Sequence, residues 1–172
     1  MDTDYAGTLP AFFRAIKAAG IEVADITHVI ATHYHPDHMG LIGQLQAMGA
    51  RLLLADVQRE CIRFGELIFA RQRLRFTPID ENRADVISCA ESREYLRSLG
   101  IAGEIISTPS HSPDSISLVL DSGQCLVGDL EPLSYLAGYE DNAALKADWE
   151  RILSFKPARV YYAHANEGII PS

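Results

Sequence analysis

The chain has few cysteines, no long apolar segment and no leader-like N-terminus. Its three cysteines, Cys61, Cys89 and Cys125, are an odd number at wide spacing and include no Cys-x-x-Cys pair. This pattern argues against a disulfide framework and favours reduced thiols in the cytoplasm. No run approaches the roughly 18 apolar residues of a membrane span, and the acidic first residues lack the pattern of a signal peptide. We therefore expect a cytoplasmic protein without a membrane partner.

Positive charge is also scarce. The chain carries 15 lysines and arginines against 23 aspartates and glutamates, which gives a formal net charge of −8 at pH 7 and a pI near 5.1. This balance disfavours a nucleic-acid partner, since such binding depends on neutralising phosphates. The only dense basic run, Arg71, Arg73 and Arg75, is more typical of the solvated side of a helix or of a lid. We expect a small-molecule substrate instead.

The length and the apolar content are sufficient for one domain. Of the 172 residues, 48% are hydrophobic, so the chain can form one sizeable core. No internal repeat, low-complexity tract or linker divides it. We predict a single domain over residues 1–172.

Helices and strands alternate along the chain, which indicates the α/β class with parallel pairing. Helices are predicted from Thr8-Leu9-Pro10 to Gly20, with one buried face, over 40–48, over about 62–69, from a capping box at Ser88–Glu91 to Leu99, and over 142–154. Strands are predicted over 26–31, 51–55, 104–107, 115–120, 124–127 and 159–162, with an antiparallel hairpin between 115–120 and 124–127. Segment 76–80 is predicted to be a loop or lid.

The densest cluster of metal-binding residue types is His33-Tyr34-His35-Pro36-Asp37-His38, directly after the first predicted strand. Imidazole and carboxylate ligands suit zinc, iron or manganese. Alternation along the loop directs His33 and His35 to one ion, and Asp37 and His38 to another. We interpret the loop as half of a two-metal site, in which Tyr34 points away from the ions and packs.

Three further ligand candidates, His111, Asp129 and His164, each follow an apolar stretch. A site built from loops at one edge of an α/β sheet requires such positions. We predict that His111 joins His33 and His35, that His164 joins Asp37 and His38, and that Asp129 bridges the two ions. Tyr135 and Tyr139 are weaker candidates for contact with a substrate.

Two ions that share a water can lower its pKa from 15.7 toward about 7 and so supply hydroxide at neutral pH. Asp37 and Asp129 are the predicted catalytic residues. They offset the charge of the ions and can orient the nucleophile by hydrogen bonding.

The sequence resembles the metallo-β-lactamase-fold hydrolase superfamily. The resemblance rests on His33-x-His35-x-Asp37-His38, the Thr-Pro-x-His-Ser-Pro element at His111, the Gly-Asp element at Asp129 and the late His164, all in the superfamily's order. It implies an αββα sandwich with a dinuclear site, usually zinc and sometimes iron or manganese. The implied activity is hydrolysis, as in glyoxalase II-like thioesterases, lactonases and phosphodiesterases. The antibiotic-degrading branch departs from this ligand pattern, so we do not expect β-lactamase activity.

The chain departs from this superfamily at both ends. Relatives usually begin with several strands before an Asp-Thr element, whereas this sequence starts at Asp2-Thr3, so we expect an N-terminally truncated sandwich. An incomplete sheet leaves unpaired backbone and apolar surface, which predicts a homo-oligomer or, alternatively, a fragment. Few residues follow His164, and they give no basis for a glutathione substrate.

Other functions stay open at this point. One is a mononuclear iron dioxygenase of the persulfide-oxidising type on the same fold. Another is a non-catalytic metal-binding module. A nuclease is a lesser possibility because the chain is acidic and lacks an aromatic-basic stripe.

Overall fold

The computed structural model describes residues 1–138 and 141–170, and the chain divides into two compact units, Met1–Val86 and Ile87–Ser172. Both units combine helices with a β-sheet, as the predicted α/β class requires. The prediction of a single domain stays a prediction. None of the helices within the described residues is long and apolar enough to cross a membrane.

The first unit contains four helices and a three-stranded sheet among its described residues. The elements in chain order are α1 (Leu9–Ala18), β1 (His28–Val29), α2 (Pro36–Met39), α3 (Ile42–Ala47), β2 (Arg51–Ala55), α4 (Ile62–Arg71) and β3 (Ala84–Ile87). The strand order is β1-β2-β3, and β1 pairs with β2 in parallel. The loop between β1 and α2 therefore leaves the sheet at the carboxyl end of β1, and it carries the histidine cluster.

The core of the first unit explains this arrangement. The side chains of Leu52 and Leu54 on β2 and Ile42 on α3 are wholly buried and pack with Phe69 of α4. Phe69 also contacts the ring of Tyr5, edge to face. This apolar packing fixes the sheet and helices on which the histidine loop is mounted.

The first unit differs from expectation in several places. The predicted strand 26–31 is only His28–Val29, because pairing with β2 covers those two residues alone. The predicted helix 40–48 corresponds to α3, which covers Ile42–Ala47. A separate short helix, α2, precedes it and begins at Pro36, because proline at the first helical position presets the backbone. None of the ten described residues of α1 is fully buried, so the expected buried face is only half-buried. Thr8 does not cap this helix through its side chain.

The second unit contains a five-stranded sheet and two helices among its described residues. The elements are α5 (Ser92–Ser98), β4 (Gly103–Ser107), β5 (Ile116–Leu120), β6 (Gln124–Gly128), α6 (Ala143–Ser154), β7 (Arg159–Tyr162) and β8 (Gly168–Ile169). The strand order is β4-β5-β6-β7-β8. All pairs are antiparallel except β6 with β7, which is parallel. It follows that β4, β6 and β7 run in the same direction.

Most predicted elements of the second unit are confirmed within about one residue. The hairpin of β5 and β6 turns at Gly123, whose φ of +90° is a conformation that glycine adopts readily. The capping box at Ser88 and Glu91 is present, although it opens a short 3-10 turn before α5. Asn142 caps α6 by accepting a hydrogen bond from the Leu145 amide. The strands β3 and β8 were not predicted, and the candidate Tyr139 lies outside the described residues.

The core of the second unit lies between its sheet and α6. Trp149 and Ile152 of α6 are wholly buried and pack against Cys125 and Val160 of the sheet. The Trp149 indole N–H donates to the Glu131 carbonyl at 3.0 Å. Burial raises the pKa of the Cys125 thiol to about 12 because an apolar environment disfavours the thiolate.

We predict that Cys125 resists alkylation in the folded protein. A pKa that is three units above that of an ordinary thiol lowers the thiolate fraction near pH 8 by about a thousandfold. Iodoacetamide labelling followed by peptide mass spectrometry should leave Cys125 unmodified until denaturant is added. Rapid native labelling of Cys125, as fast as in the unfolded chain, would contradict this packing.

Candidate metal centre

The first unit places its four predicted ligands on the loop after β1 and on the first turn of α2. His33 is wholly buried and His38 is 1% exposed. His33 Nε2 and His35 Nδ1 lie 2.9 Å apart in a hydrogen bond. The ring centroids of His33 and His38 are 4.1 Å apart. His38 Nε2 lies 3.5 Å from Asp37 Oδ2. The structure therefore brings together His33 with His35, and Asp37 with His38, the two pairs that the loop spacing predicts.

Asp2 holds this loop from the start of the chain. Its carboxylate accepts hydrogen bonds from the Thr32 amide at 2.6 Å and from the Thr32 hydroxyl at 3.0 Å. Asp2 Oδ2 also lies 3.2 Å from His38 Nδ1, and Thr32 Oγ1 lies 3.1 Å from His33 Nδ1. The Nδ1 atoms of His33 and His38 thus have partners outside the cluster, which orients both Nε2 atoms toward it.

Gln58 and Thr3 also hold the histidine loop by hydrogen bonds to its backbone. The buried Gln58 amide donates to the carbonyls of Ala31 and Thr32 at 3.0 and 3.2 Å. The Thr3 hydroxyl donates to the His38 carbonyl at 3.1 Å. Sequence reasoning missed both roles, as it missed that of Asp2, because these partners come from 26 to 35 residues away along the chain.

Two glycines allow close backbone approach around the loop. A Cβ at Gly40 would lie 2.2 Å from the Ala6 nitrogen, and the Gly40 amide donates to the Asp4 carbonyl at 2.9 Å. A Cβ at Gly65 of α4 would lie 2.8 Å from the Tyr34 carbonyl oxygen. Tyr34 itself is 1% exposed, consistent with its predicted packing role. Larger residues at these glycines would displace the segments that carry the ligands.

The second unit places its three predicted ligands at one edge of its sheet. His111 follows β4, Asp129 follows β6 and His164 follows β7. Because these three strands run in the same direction, their carboxyl ends lie on the same edge. The β6–β7 register shifts between Leu126 and Gly128, and Gly128 has a φ of +60°. This irregularity turns the chain directly before Asp129, as bulges beside functional sites often do.

Asp129 lies between the two histidines of this unit. Its Oδ2 is 3.7 Å from His111 Nε2, and its Oδ1 is 3.5 Å from His164 Nε2. The side chain of Asp129 is 16% exposed, whereas that of His164 is 61% exposed. Each carboxylate oxygen of Asp129 therefore faces a different imidazole.

The loop of His111 is anchored to α6. Asp148, which is 3% exposed, accepts a hydrogen bond from the Ser110 amide at 2.8 Å. One turn further along α6, the Arg151 guanidinium donates to the Ser107 carbonyl. The Thr108 amide donates to the Ser115 carbonyl at 2.9 Å and closes the loop. Nothing in the sequence marked Asp148, since its role depends on tertiary contact.

A pocket of about 290 Å³ opens beside these ligands in the second unit. It is lined by His111, Gly128, Asp129, Leu130, Glu131, Pro132, Tyr135, Tyr162, His164 and Ala165. Burial raises the pKa of the Tyr162 hydroxyl, so this group stays protonated and uncharged at neutral pH. The candidate Tyr135 lines the pocket with 54% of its surface exposed. Glu167 pairs instead with Arg159 at 2.9 Å.

The residues present fit divalent metal ions. They supply five imidazoles and two carboxylates, the donor types that zinc, iron and manganese share. Two nitrogens bound to one tetrahedral ion at about 2.0–2.1 Å lie about 3.3 Å apart. The closest donor pairs within each unit are 2.9 to 3.7 Å apart, so small side-chain movements are sufficient for binding.

The chain is similar to known proteins of the metallo-beta-lactamase superfamily. The family model described as the metallo-beta-lactamase superfamily matches residues 1–47. The Beta-lactamase-like protein 2 homolog of Drosophila melanogaster is 28% identical over 145 residues, which are 84% of this chain and 47% of that protein. The chain thus spans about half the length of this curated relative.

Solved structures are similar over nearly the whole chain. A metallo-beta-lactamase family protein of Thermus thermophilus has a TM-score of 0.74 at 19% identity, covering 96% of this chain and 64% of that one. A putative metallo-beta-lactamase of Thermotoga maritima gives 0.68 at 19% identity, covering 98% and 81%. TTHA1623, solved in a di-iron-bound form, gives 0.67 at 20% identity, covering 92% and 78%. These likenesses show that the chain has the metallo-β-lactamase fold.

We predict that Asp2→Asn weakens metal binding by about 10–100-fold, because the contact that orients His38 loses its charge. Asparagine tolerates the left-handed backbone at this position, where φ is +59°, so circular dichroism should show an intact fold. Metal affinity is measured by competition with a chelator of known affinity.

Glu60→Gln serves as the matched control, since Glu60 is an exposed carboxylate of the same unit. Equal affinities of Asp2→Asn, Glu60→Gln and the wild type would refute a positioning role for Asp2.

Proposed function

We propose that the chain is a metal-dependent hydrolase of a small ester, thioester, lactone or phosphodiester, because it is similar to proteins of the metallo-β-lactamase superfamily. The observation that carries this proposal is Asp129, whose two carboxylate oxygens face His111 and His164 separately. A carboxylate in this position can serve two ions at once. Hydrolysis at a pair of ions is the chemistry that such a site supports.

The proposed ligands are those that the sequence predicts. They are His33, His35 and His111 for one ion, and Asp37, His38 and His164 for the other, with Asp129 able to bridge the two. The order of these residues in the sequence supports the assignment, as do the close pairs within each unit. Zinc is the first candidate, and iron and manganese are alternatives because the same ligand types accept all three.

Residues of the chain position the attacking water and the metal ligands. When bound, the ions lower the pKa of a water molecule and polarise the oxygen of the scissile group. Asp37, whose side chain is 40% exposed, can orient the attacking water by accepting a hydrogen bond at a carboxylate oxygen. Asp2 and Thr32 hold the imidazoles of His38 and His33 in place, so that little reorganisation accompanies the reaction.

We also propose a cellular location, an assembly state and a class of partner. The three cysteines are thiols rather than disulfides, which supports a location in the cytoplasm. The half-buried apolar face of α1 supports self-association. We propose a small-molecule substrate, with neither nucleic acid nor membrane as partner, since the net charge is −8.

We predict that His33→Ala lowers kcat/KM by at least about a hundredfold and removes most of one metal equivalent, because the ligand of one ion is lost. Turnover is measured with p-nitrophenyl esters, thioesters, lactones and phosphodiesters, and bound metal by elemental analysis. His28→Ala is the control, since His28 lies on β1 and contacts Asp85 outside the ligand set. Unchanged turnover and metal content in His33→Ala would exclude the proposed site.

A further inference from the structure

The pocket beside Asp129 has an uneven distribution of charge. Apart from the three ligand candidates, Glu131 is the only charged residue among the described residues that line it. No lysine or arginine of the described part of the second unit lines it. Three arginines of this unit bind elsewhere: Arg93 binds Glu104 and Asp121, Arg151 binds the Ser107 carbonyl, and Arg159 binds Glu167. Among the described residues, the side chains of the pocket therefore present no lysine or arginine to an anionic substrate.

The rest of the lining is apolar or aromatic. Leu130, Pro132 and Ala165 contribute aliphatic surface, and the half-exposed ring of Tyr135 adds an aromatic face. The segment from Leu130 to Tyr135 is held in place, since the Tyr135 amide donates to the Pro132 carbonyl at 2.8 Å. The Trp149 indole holds the Glu131 carbonyl at 3.0 Å. The wall is thus a fixed apolar surface with one carboxylate on it.

We propose that this pocket selects an uncharged carbonyl substrate and that Glu131 disfavours anionic ones. The proposal rests on the proposed hydrolase function and narrows it from four substrate classes to esters, thioesters and lactones. An apolar acyl or leaving group lies against Tyr135 and Pro132, whereas a phosphodiester or a carboxylated ester meets the negative charge of Glu131. Glu131, which lines the pocket, and an anionic group of the substrate repel each other, and such repulsion gives specificity.

The reaction on such a substrate is ordinary hydrolysis. A water oxygen adds to the carbonyl carbon, and the bond from that carbon to the alcohol oxygen or thiol sulfur breaks. One proton of the water ends on the leaving oxygen or sulfur. No oxidant, reductant or second substrate is required.

The experiment compares substrates that differ in charge but share a leaving group. Metal-loaded protein is assayed with p-nitrophenyl butyrate, which is neutral, and with mono-p-nitrophenyl succinate, which carries a carboxylate. Bis-p-nitrophenyl phosphate is the third substrate. The variants are Glu131→Gln and Glu131→Lys, and Glu150→Gln is the matched control because Glu150 is an exposed carboxylate of α6 that does not line the pocket.

We expect the ratio of kcat/KM for the neutral ester to that for the succinate ester to fall about fivefold in Glu131→Gln and further in Glu131→Lys. The same ratio should stay at the wild-type value in Glu150→Gln. Activity on the phosphodiester should rise in the order wild type, Glu131→Gln, Glu131→Lys.

Equal ratios in Glu131→Gln, Glu150→Gln and the wild type would overturn this inference. So would a wild-type kcat/KM for the phosphodiester above that for the neutral ester. In both cases the hydrolase function would stand. Metal-loaded protein that hydrolyses none of these three substrates, and no thioester or lactone either, would overturn the hydrolase function, and this inference with it.

Discussion

The histidine loop of the first unit depends on one carboxylate. Asp2 accepts hydrogen bonds from both the amide and the hydroxyl of Thr32 and contacts His38 Nδ1 at 3.2 Å. His33 and His38 are almost completely buried, and buried imidazoles keep a useful orientation only when their second nitrogen has a fixed partner. Asp2 and Thr32 supply those partners, so that the nitrogens directed into the cluster are available to a metal.

In the second unit, the topology of the sheet positions the ligands. Strands β4, β6 and β7 run in one direction, which brings three loops to one edge of the sheet. Asp148 and Arg151 of α6 then tie the loop of His111 to the core, where Trp149 is buried. The ligands of this unit thus lie at the ends of strands, and the loop of His111 is tied to α6, which favours the fixed positions that catalysis requires.

The candidate ligands were proposed from the sequence because metal chemistry restricts residue type and the loop spacing restricts pairing, and the structure brings them close together within each unit. The strand and helix positions of the second unit followed from periodicity and caps, as at Asn142. Asp2, Gln58 and Asp148 could not be predicted, since each acts through a contact with a distant segment. The length of the strand at His28 was overestimated. The β-branched residues around His28 indicated a strand over 26–31, whereas pairing with β2 covers only His28 and Val29.

The proposed function requires the predicted ligands to bind two metal ions. The most direct test is the number of metal ions per chain in the purified protein, determined by elemental analysis after dialysis without chelator. We expect a value close to two, as zinc or a mixture of zinc with iron or manganese. A value of one or less, unchanged after incubation with zinc, would contradict the dinuclear centre, and a single iron would favour oxygenase chemistry on this fold.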